Sequence, residues 1–207
     1  MSFRNQTVSA FMDALASGEP TPGGGTASAM AGAMGVSLLV MVAGLPRTKT
    51  NADEEKAALA AARDALAPIG AKLLDFADAD AASFDQVMAA YKLPKASDEE
   101  KQARKAAIQK GFEAATSVPV ETLLAAAEAL DQALAVARFG NPSAASDVGV
   151  GLALLEAAAA GAAANVQINL ESLTDEAFVV RAKAQLADGQ SRVAEGARAA
   201  RAALTAG

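Results

Sequence analysis

The chain has no cysteine, no histidine and no tryptophan, and a single tyrosine. Without cysteine there are no disulfides and no thiolate metal ligands. Without histidine the commonest metal ligand and the usual general base are gone. Zinc-dependent hydrolysis and Ser–His or Cys–His catalysis are thereby excluded. Aromatic residues are also scarce, 4% of 207 residues, although 52% are hydrophobic and only 20% charged. Alanine makes up much of that hydrophobic share. Small apolar side chains suit closely packed helices better than a sheet, which draws on β-branched and aromatic residues.

Positive charge is in short supply as well. The formal net charge is −6, which argues against a nucleic-acid partner. It is compatible with a small cationic substrate, as it is with an ordinary acidic surface. Residues Met1–Gln6 lack the apolar core of a signal peptide. Gly23–Leu45 is an uncharged run long enough to span a membrane, but it is rich in Gly, Ala, Ser and Thr, and no second such run stands out. It reads as a core helix. The expectation is a cytoplasmic protein that meets no membrane, with residues 1–207 forming one domain.

Periodicity predicts helices throughout and no convincing strand. A short amphipathic helix spans Thr7–Ser17. A second runs from Gly25 to Leu45, with Ala29, Gly32, Ala33 and Ser37 allowing close helix approach. A third covers Asp53–Lys92, bent at Pro68. After the break at Leu93–Ala96, Ser97 and Glu100 fit a capping box for a fourth helix reaching Phe139, with Pro119 inside it. Asn141-Pro142 opens a fifth helix to Leu170 as N-cap and first-turn proline. Thr174-Asp175-Glu176 starts the last, ending near Leu204. The fold class expected is all-α, an antiparallel bundle of five to six helices, some long and kinked.

Five features carry chemical interest. Pro22-Gly23-Gly24-Gly25-Thr26 precedes a helix, where free N–H groups point outward. Its glycines permit positive φ and close approach. It can hold an anion or a tight turn, but it matches neither the dinucleotide fingerprint nor the phosphate loop. Asp80 falls on the apolar stripe Leu73, Phe76, Phe84, Val87 and Tyr91, whereas Asp75, Asp78 and Asp85 point elsewhere and read as solvated charges. A carboxylate on a buried face needs a partner, and burial raises its pKa toward general acid–base use. An arginine partner or a backbone cap explains it equally. Asn165 and Asn169, one turn apart, suit either the donor and acceptor edges of a heterocycle or hydrogen bonds between helices. Arg47, Lys49 and Lys95 lie at helix ends and suit an anionic ligand tail or simple solvation. Asp147 in a helix first turn complements the helix dipole.

In their order and spacing these pieces resemble the formiminotetrahydrofolate cyclodeaminase/methenyltetrahydrofolate cyclohydrolase family over nearly the whole chain. The matching elements are Pro22–Thr26, where the family usually ends in serine, then Asp80 with Phe84, Leu93-Pro94-Lys95, Pro119, Gly140-Asn141, Ser146-Asp147 and Asn165–Leu170. Pro46-Arg47-Thr48-Lys49 replaces a more usual Thr-x-Gly-basic pattern, and Lys49 keeps its basic character. The resemblance implies an all-helical homodimer binding tetrahydrofolate derivatives in a cleft, with no metal or other cofactor. It puts the catalytic aspartate at Asp80. It implies substrate contacts from Pro22, Gly23, Gly24, Gly25, Thr26, Lys49, Phe84, Lys95, Asp147, Asn165 and Asn169. No formiminotransferase domain accompanies the sequence, which favours cyclohydrolase over cyclodeaminase. The third alternative is a helical folate-binding protein without catalysis.

Overall fold

A computed structural model describes residues 2–45 and 52–205. Among these residues there are α-helices and short 3₁₀ turns and no strand. The α-helices are α1 (Val8–Leu15), α2 (Gly24–Gly44), α3 (Asp53–Tyr91), α4 (Asp98–Phe139), α5 (Ala145–Leu170) and α6 (Glu176–Thr205). The expected all-α architecture is therefore present. Local chemistry sets the ends. Thr7 Oγ1 accepts from Ala10 N (3.2 Å) and starts α1. Ser97 and Glu100 form the full capping box of α4.

One helix start differs from expectation. Asn141 Oδ1 does accept from Ser143 N (3.0 Å), but Pro142–Ala144 is a 3₁₀ turn and α5 proper begins at Ala145. Helix α6 starts where expected, and Asp175 Oδ1 accepts from its first turn at Phe178 N (3.0 Å). The Thr174 hydroxyl and N–H instead donate to Gln109 Oε1 on α4, tying the α5–α6 connection to the α3–α4 hairpin.

Helices α2, α3, α4 and α5 each pack on the next, α5 returns to α2, and α6 lies along α4 and α5. The core between them holds Leu39, Leu66, Leu73, Leu123, Leu130, Leu152 and Leu155, all fully buried. Each such side chain contributes about 1.5–3 kcal/mol on burial. Helices Gly24–Gly44 and Pro142–Leu170 both have the length and apolarity of a membrane span, where the sequence reading singled out one. They are neighbours in this bundle.

Their closeness depends on glycine. Ser37, expected at this contact, is exposed, and Gly35 takes the role. A Cβ on Gly35 would lie 2.8 Å from the Gly151 carbonyl oxygen and 3.1 Å from Leu155 Cγ. The first obstacle is backbone, so the helices must separate. Gly35→Ala should cost about 1–3 kcal/mol, read as a lower urea midpoint at unchanged slope.

A smaller apolar cluster sits outside the main core. Phe3 and Phe11 meet edge to face with ring centroids 5.9 Å apart, and Ala81 of α3 completes the contact. Asp78, expected to be solvated, holds this segment in place. Its carboxylate accepts from Ser2 Oγ (2.7 Å) and Phe3 N (2.6 Å). Asp75 pairs with Arg4 at the surface. The N-terminal segment thus covers α3 one residue away from Asp80.

Candidate functional site

Antiparallel packing brings four helix segments to one end of the bundle. They are the start of α2, the last turns of α3, the fourth and fifth turns of α4 and the last turns of α5. A cleft of about 340 Å³ opens there, lined by Gly23, Gly24, Gly25, Asp80, Phe84, Asn165 and Asn169 among others. Its volume lies in the range of small-molecule sites, about 300–1,000 Å³.

The Gly-rich segment forms the first turn of α2. Gly23 is the N-cap residue, with φ −121° and ψ −159°, and has no side chain to cap with. No glycine among the described residues takes positive φ, so left-handed backbone is not the reason for the triple glycine. The reason is proximity. A Cβ on Gly25 would collide with Asp80, at 2.6 Å from Cγ and 2.7 Å from Oδ2. Asp80 reaches across from α3 and caps α2 from outside. Its Oδ2 accepts from Thr26 Oγ1 (2.9 Å), and the Thr26 backbone N–H also favours the ionised carboxylate. Thr26 is the third residue of α2, the position whose N–H a capping side chain ordinarily satisfies. The serine-to-threonine departure keeps the hydroxyl this bond needs.

Asp80 is half-buried. Burial pushes its carboxyl above the usual aspartate range, and the Thr26 hydroxyl and N–H pull it down without cancelling that effect. The backbone cap anticipated as an alternative is thus real. It does not remove Asp80 from the cleft, which the same carboxylate lines.

The asparagines form the opposite wall. Asn165 Nδ2 donates to the Gly161 carbonyl (2.8 Å), and Asn169 Nδ2 donates to the Ala115 carbonyl of α4 (2.8 Å). A carbonyl only accepts, so each amide must turn its NH₂ toward the protein. Among the described residues neither Oδ1 has a protein partner, which leaves both oxygens for a ligand. The pair therefore presents acceptors, where sequence alone allowed either edge. Gly24 sits close by, since a Cβ there would be 3.8 Å from Asn165 Nδ2.

The third wall is apolar and aromatic. Phe84, Val87, Met88 and Tyr91 of α3 face Phe112 of α4. The Tyr91 and Phe112 rings meet edge to face at 6.5 Å. Arg104 lies over the Tyr91 ring (5.6 Å) and donates to its carbonyl through Nε (3.2 Å) and Nη2 (3.1 Å). Phe112 and Ser83 were not anticipated. The sequence signal was Gly111, where a Cβ would be 3.1 Å from Val87 Cγ2, marking the close α3–α4 approach that aims Phe112 at the cleft.

The other expected site residues are placed as follows. Pro22 is buried behind the wall after a cis Thr21–Pro22 peptide, and Thr26 is buried against Asp80. Lys95 is exposed in the α3–α4 turn beyond Tyr91, at this end of the bundle but outside the cleft lining. Asp147 is in the first turn of α5. Eighteen residues separate it from Asn165, about 27 Å of helix, so it stands at the far end from this cleft. Lys49 and Arg47 lie outside the described residues.

A helical bundle that offers one half-buried carboxylate, two amide oxygens and an aromatic wall at one end defines a binding cleft for a flat, hydrogen-bond-donating heterocycle. The chain belongs to the formiminotransferase-cyclodeaminase family, whose model matches residues 7–188. It is 41% identical over 174 residues to the methenyltetrahydrofolate cyclohydrolase of Methylorubrum extorquens, covering 84% of each chain. It is 33% identical to the formimidoyltransferase-cyclodeaminase of Gallus gallus, covering 83% of this chain and 32% of that longer protein. The crystal structure of the formiminotetrahydrofolate cyclodeaminase of Thermotoga maritima is similar, with TM-score 0.86, 28% identity and 98% of each chain covered.

Proposed function

We propose that this protein is a methenyltetrahydrofolate cyclohydrolase, converting 5,10-methenyltetrahydrofolate and water to 10-formyltetrahydrofolate and a proton. The observation that carries the reading is Asp80, a half-buried carboxylate held at the edge of a folate-sized cleft by Thr26. The methenyl carbon belongs to a cationic amidinium and is already electrophilic. The reaction needs a placed water and a base, and no metal or organic cofactor to polarise the carbon. Asp80 takes a proton as the water oxygen bonds to that carbon. The C–N5 bond then breaks with its electrons going to N5, which takes the proton that Asp80 received and so returns Asp80 to the carboxylate form. The second water proton leaves to solvent. A carboxylate beside the substrate cation also favours its binding.

The acceptors Asn165 Oδ1 and Asn169 Oδ1 match the amino and ring N–H donors of a tetrahydropterin. Phe84 and the Tyr91–Phe112 pair supply apolar surface for the ring system, and the backbone of Gly23 and Gly24 allows close approach. Lys95 is one described cation on this end of the bundle suited to the glutamate tail, with Lys49 the other expected. Exposed Met34 and Met41 on α2 and Val150 and Ile168 on α5 support a homodimer that covers this face. The enzyme would work in the cytoplasm, apart from membranes.

The Thermotoga relative supports a second reading, formiminotetrahydrofolate cyclodeaminase. There N10 attacks the 5-formimino carbon, ammonia leaves, and Asp80 would deliver the proton it needs. Two assays on the purified protein separate them. Loss of methenyl absorbance above the spontaneous rate, without ammonia release, is the expected result. Ammonia release from formiminotetrahydrofolate with no enzymatic methenyl hydrolysis would reverse the assignment. No turnover of either would leave a binding protein.

A further inference from the structure

Two prolines lie inside long helices, Pro68 in α3 and Pro119 in α4. Each lacks the N–H that would bond the carbonyl four residues earlier. For Pro68 that carbonyl belongs to Asp64, and both residues are exposed, so water can satisfy it. For Pro119 it belongs to Ala115. Pro119 is buried, Ala115 lines the cleft, and the freed carbonyl accepts from Asn169 Nδ2 at 2.8 Å. The vacancy made by the proline is filled by the side chain that forms one wall of the site.

The consequence concerns which atom of Asn169 meets a ligand. An exposed asparagine amide can present NH₂ or oxygen. Once its NH₂ is committed to Ala115, only Oδ1 remains. Asn165 reaches the same state without a proline, because its NH₂ folds back onto the Gly161 carbonyl of its own helix. Asn169 has to be held from another helix, across α4 and α5, and Pro119 makes that helix available.

We propose that Pro119 is a positioning residue of the folate cleft, which fixes Asn169 with Oδ1 toward the ligand by leaving the Ala115 carbonyl without a helical partner. The part that concerns folate rests on the function proposed above. The hydrogen-bond device itself does not.

Pro119→Ala and Pro119→Ser each restore the missing N–H. Two readouts follow. The first is the Asn169 side-chain amide signal in a ¹⁵N spectrum, assigned by its loss in Asn169→Asp. In the parent protein its protons exchange slowly with solvent, and in the Pro119 variants they exchange faster and shift. The second is turnover of methenyltetrahydrofolate. KM should rise about tenfold, the worth of one well-placed hydrogen bond, with kcat changed less. The same rise should appear in Asn169→Ala, and combining the two should add little. Thermal stability should hold or rise, because alanine suits a helix interior better than proline.

An unchanged amide signal overturns the proposal, as does an unchanged KM in a parent that does turn folate over. Failure of both variants to fold would make Pro119 a requirement of α4 itself and overturn it too. If the parent neither binds nor hydrolyses folate, the proposed function fails, and the amide signal alone decides the role of Pro119.

Discussion

Asp80→Asn should lower hydrolysis of methenyltetrahydrofolate by roughly 10²–10⁴-fold, the usual contribution of a positioned general base. The amide keeps the shape of the carboxyl and can still accept from Thr26, so α2 keeps a cap. What it loses is the ability to take a proton from water. The rate must be read after subtracting spontaneous hydrolysis of the substrate, which sets a floor. Substrate binding should weaken less than turnover. A variant that folds, binds folate and keeps full turnover would remove Asp80 from the mechanism.

The acidity of Asp80 adds a second signature. Burial raises its pKa in the folded chain. The active form is the carboxylate, so kcat/KM should fall as pH drops through a value above the ordinary aspartate value of about 3.9. That limb should vanish in Asp80→Asn. Stability runs the other way. A carboxyl with a raised folded pKa binds its proton more tightly when folded, so folding takes up a proton between the unfolded and folded values. Its contribution to stability is then fullest below the unfolded value and declines as pH rises through the folded one. Above that interval the ionised, half-buried group opposes folding, and asparagine does not. Thermal melts at neutral pH should therefore show Asp80→Asn no less stable than the parent. A large loss there would mean that the Thr26 bonds outweigh burial.

The sequence made Asp80 conspicuous because helical periodicity leaves a charged residue on an apolar stripe few explanations. It made the five long helices legible for the same reason, with Ser97 and Glu100 marking a boundary that local chemistry fully determines. What it hid lies in contacts between helices. Asp78 looked solvated because nothing local shows that Ser2 and Phe3 return to it. Phe112 was passed over, since only the α3–α4 crossing at Gly111 turns it to the cleft. The asparagines were visible as a pair, but their polarity was not. That depends on Gly161 and Ala115, the second of them 54 residues away. Asp147 fits a family pattern in sequence and stands in space at the opposite end of α5. The triple glycine invited a left-handed loop, and no local rule distinguishes that from a helix start that must admit a foreign carboxylate.

That helix start carries the other large expectation. Gly25→Ala should reduce turnover by an amount approaching that of Asp80→Asn while changing stability little. The new methyl group would occupy the space of the Asp80 carboxyl, whose Cγ lies 2.6 Å from the Cβ position. The three nearest atoms all belong to that carboxyl, and a carboxyl group at the end of a side chain can rotate aside. The fold can therefore absorb the change, and the cost falls on position. Helix propensity favours alanine over glycine by up to about 1 kcal/mol. Loss of the Thr26 hydroxyl bond to Asp80 costs about the same. The two nearly cancel in an unfolding experiment. They do not cancel in catalysis, because a displaced base no longer meets the water, and a shift near 1 Å can cost about 10²-fold. Turnover and denaturant midpoint measured on one preparation test this directly. Full turnover in a stable Gly25→Ala protein would show that the carboxylate need not sit against α2 to act. A large fall in the midpoint would show that Gly25 serves packing first, in the way of Gly35, and that the approach of Asp80 is secondary. With turnover lost and stability retained, the glycine is there to let a carboxylate from one helix cap another at the edge of the site.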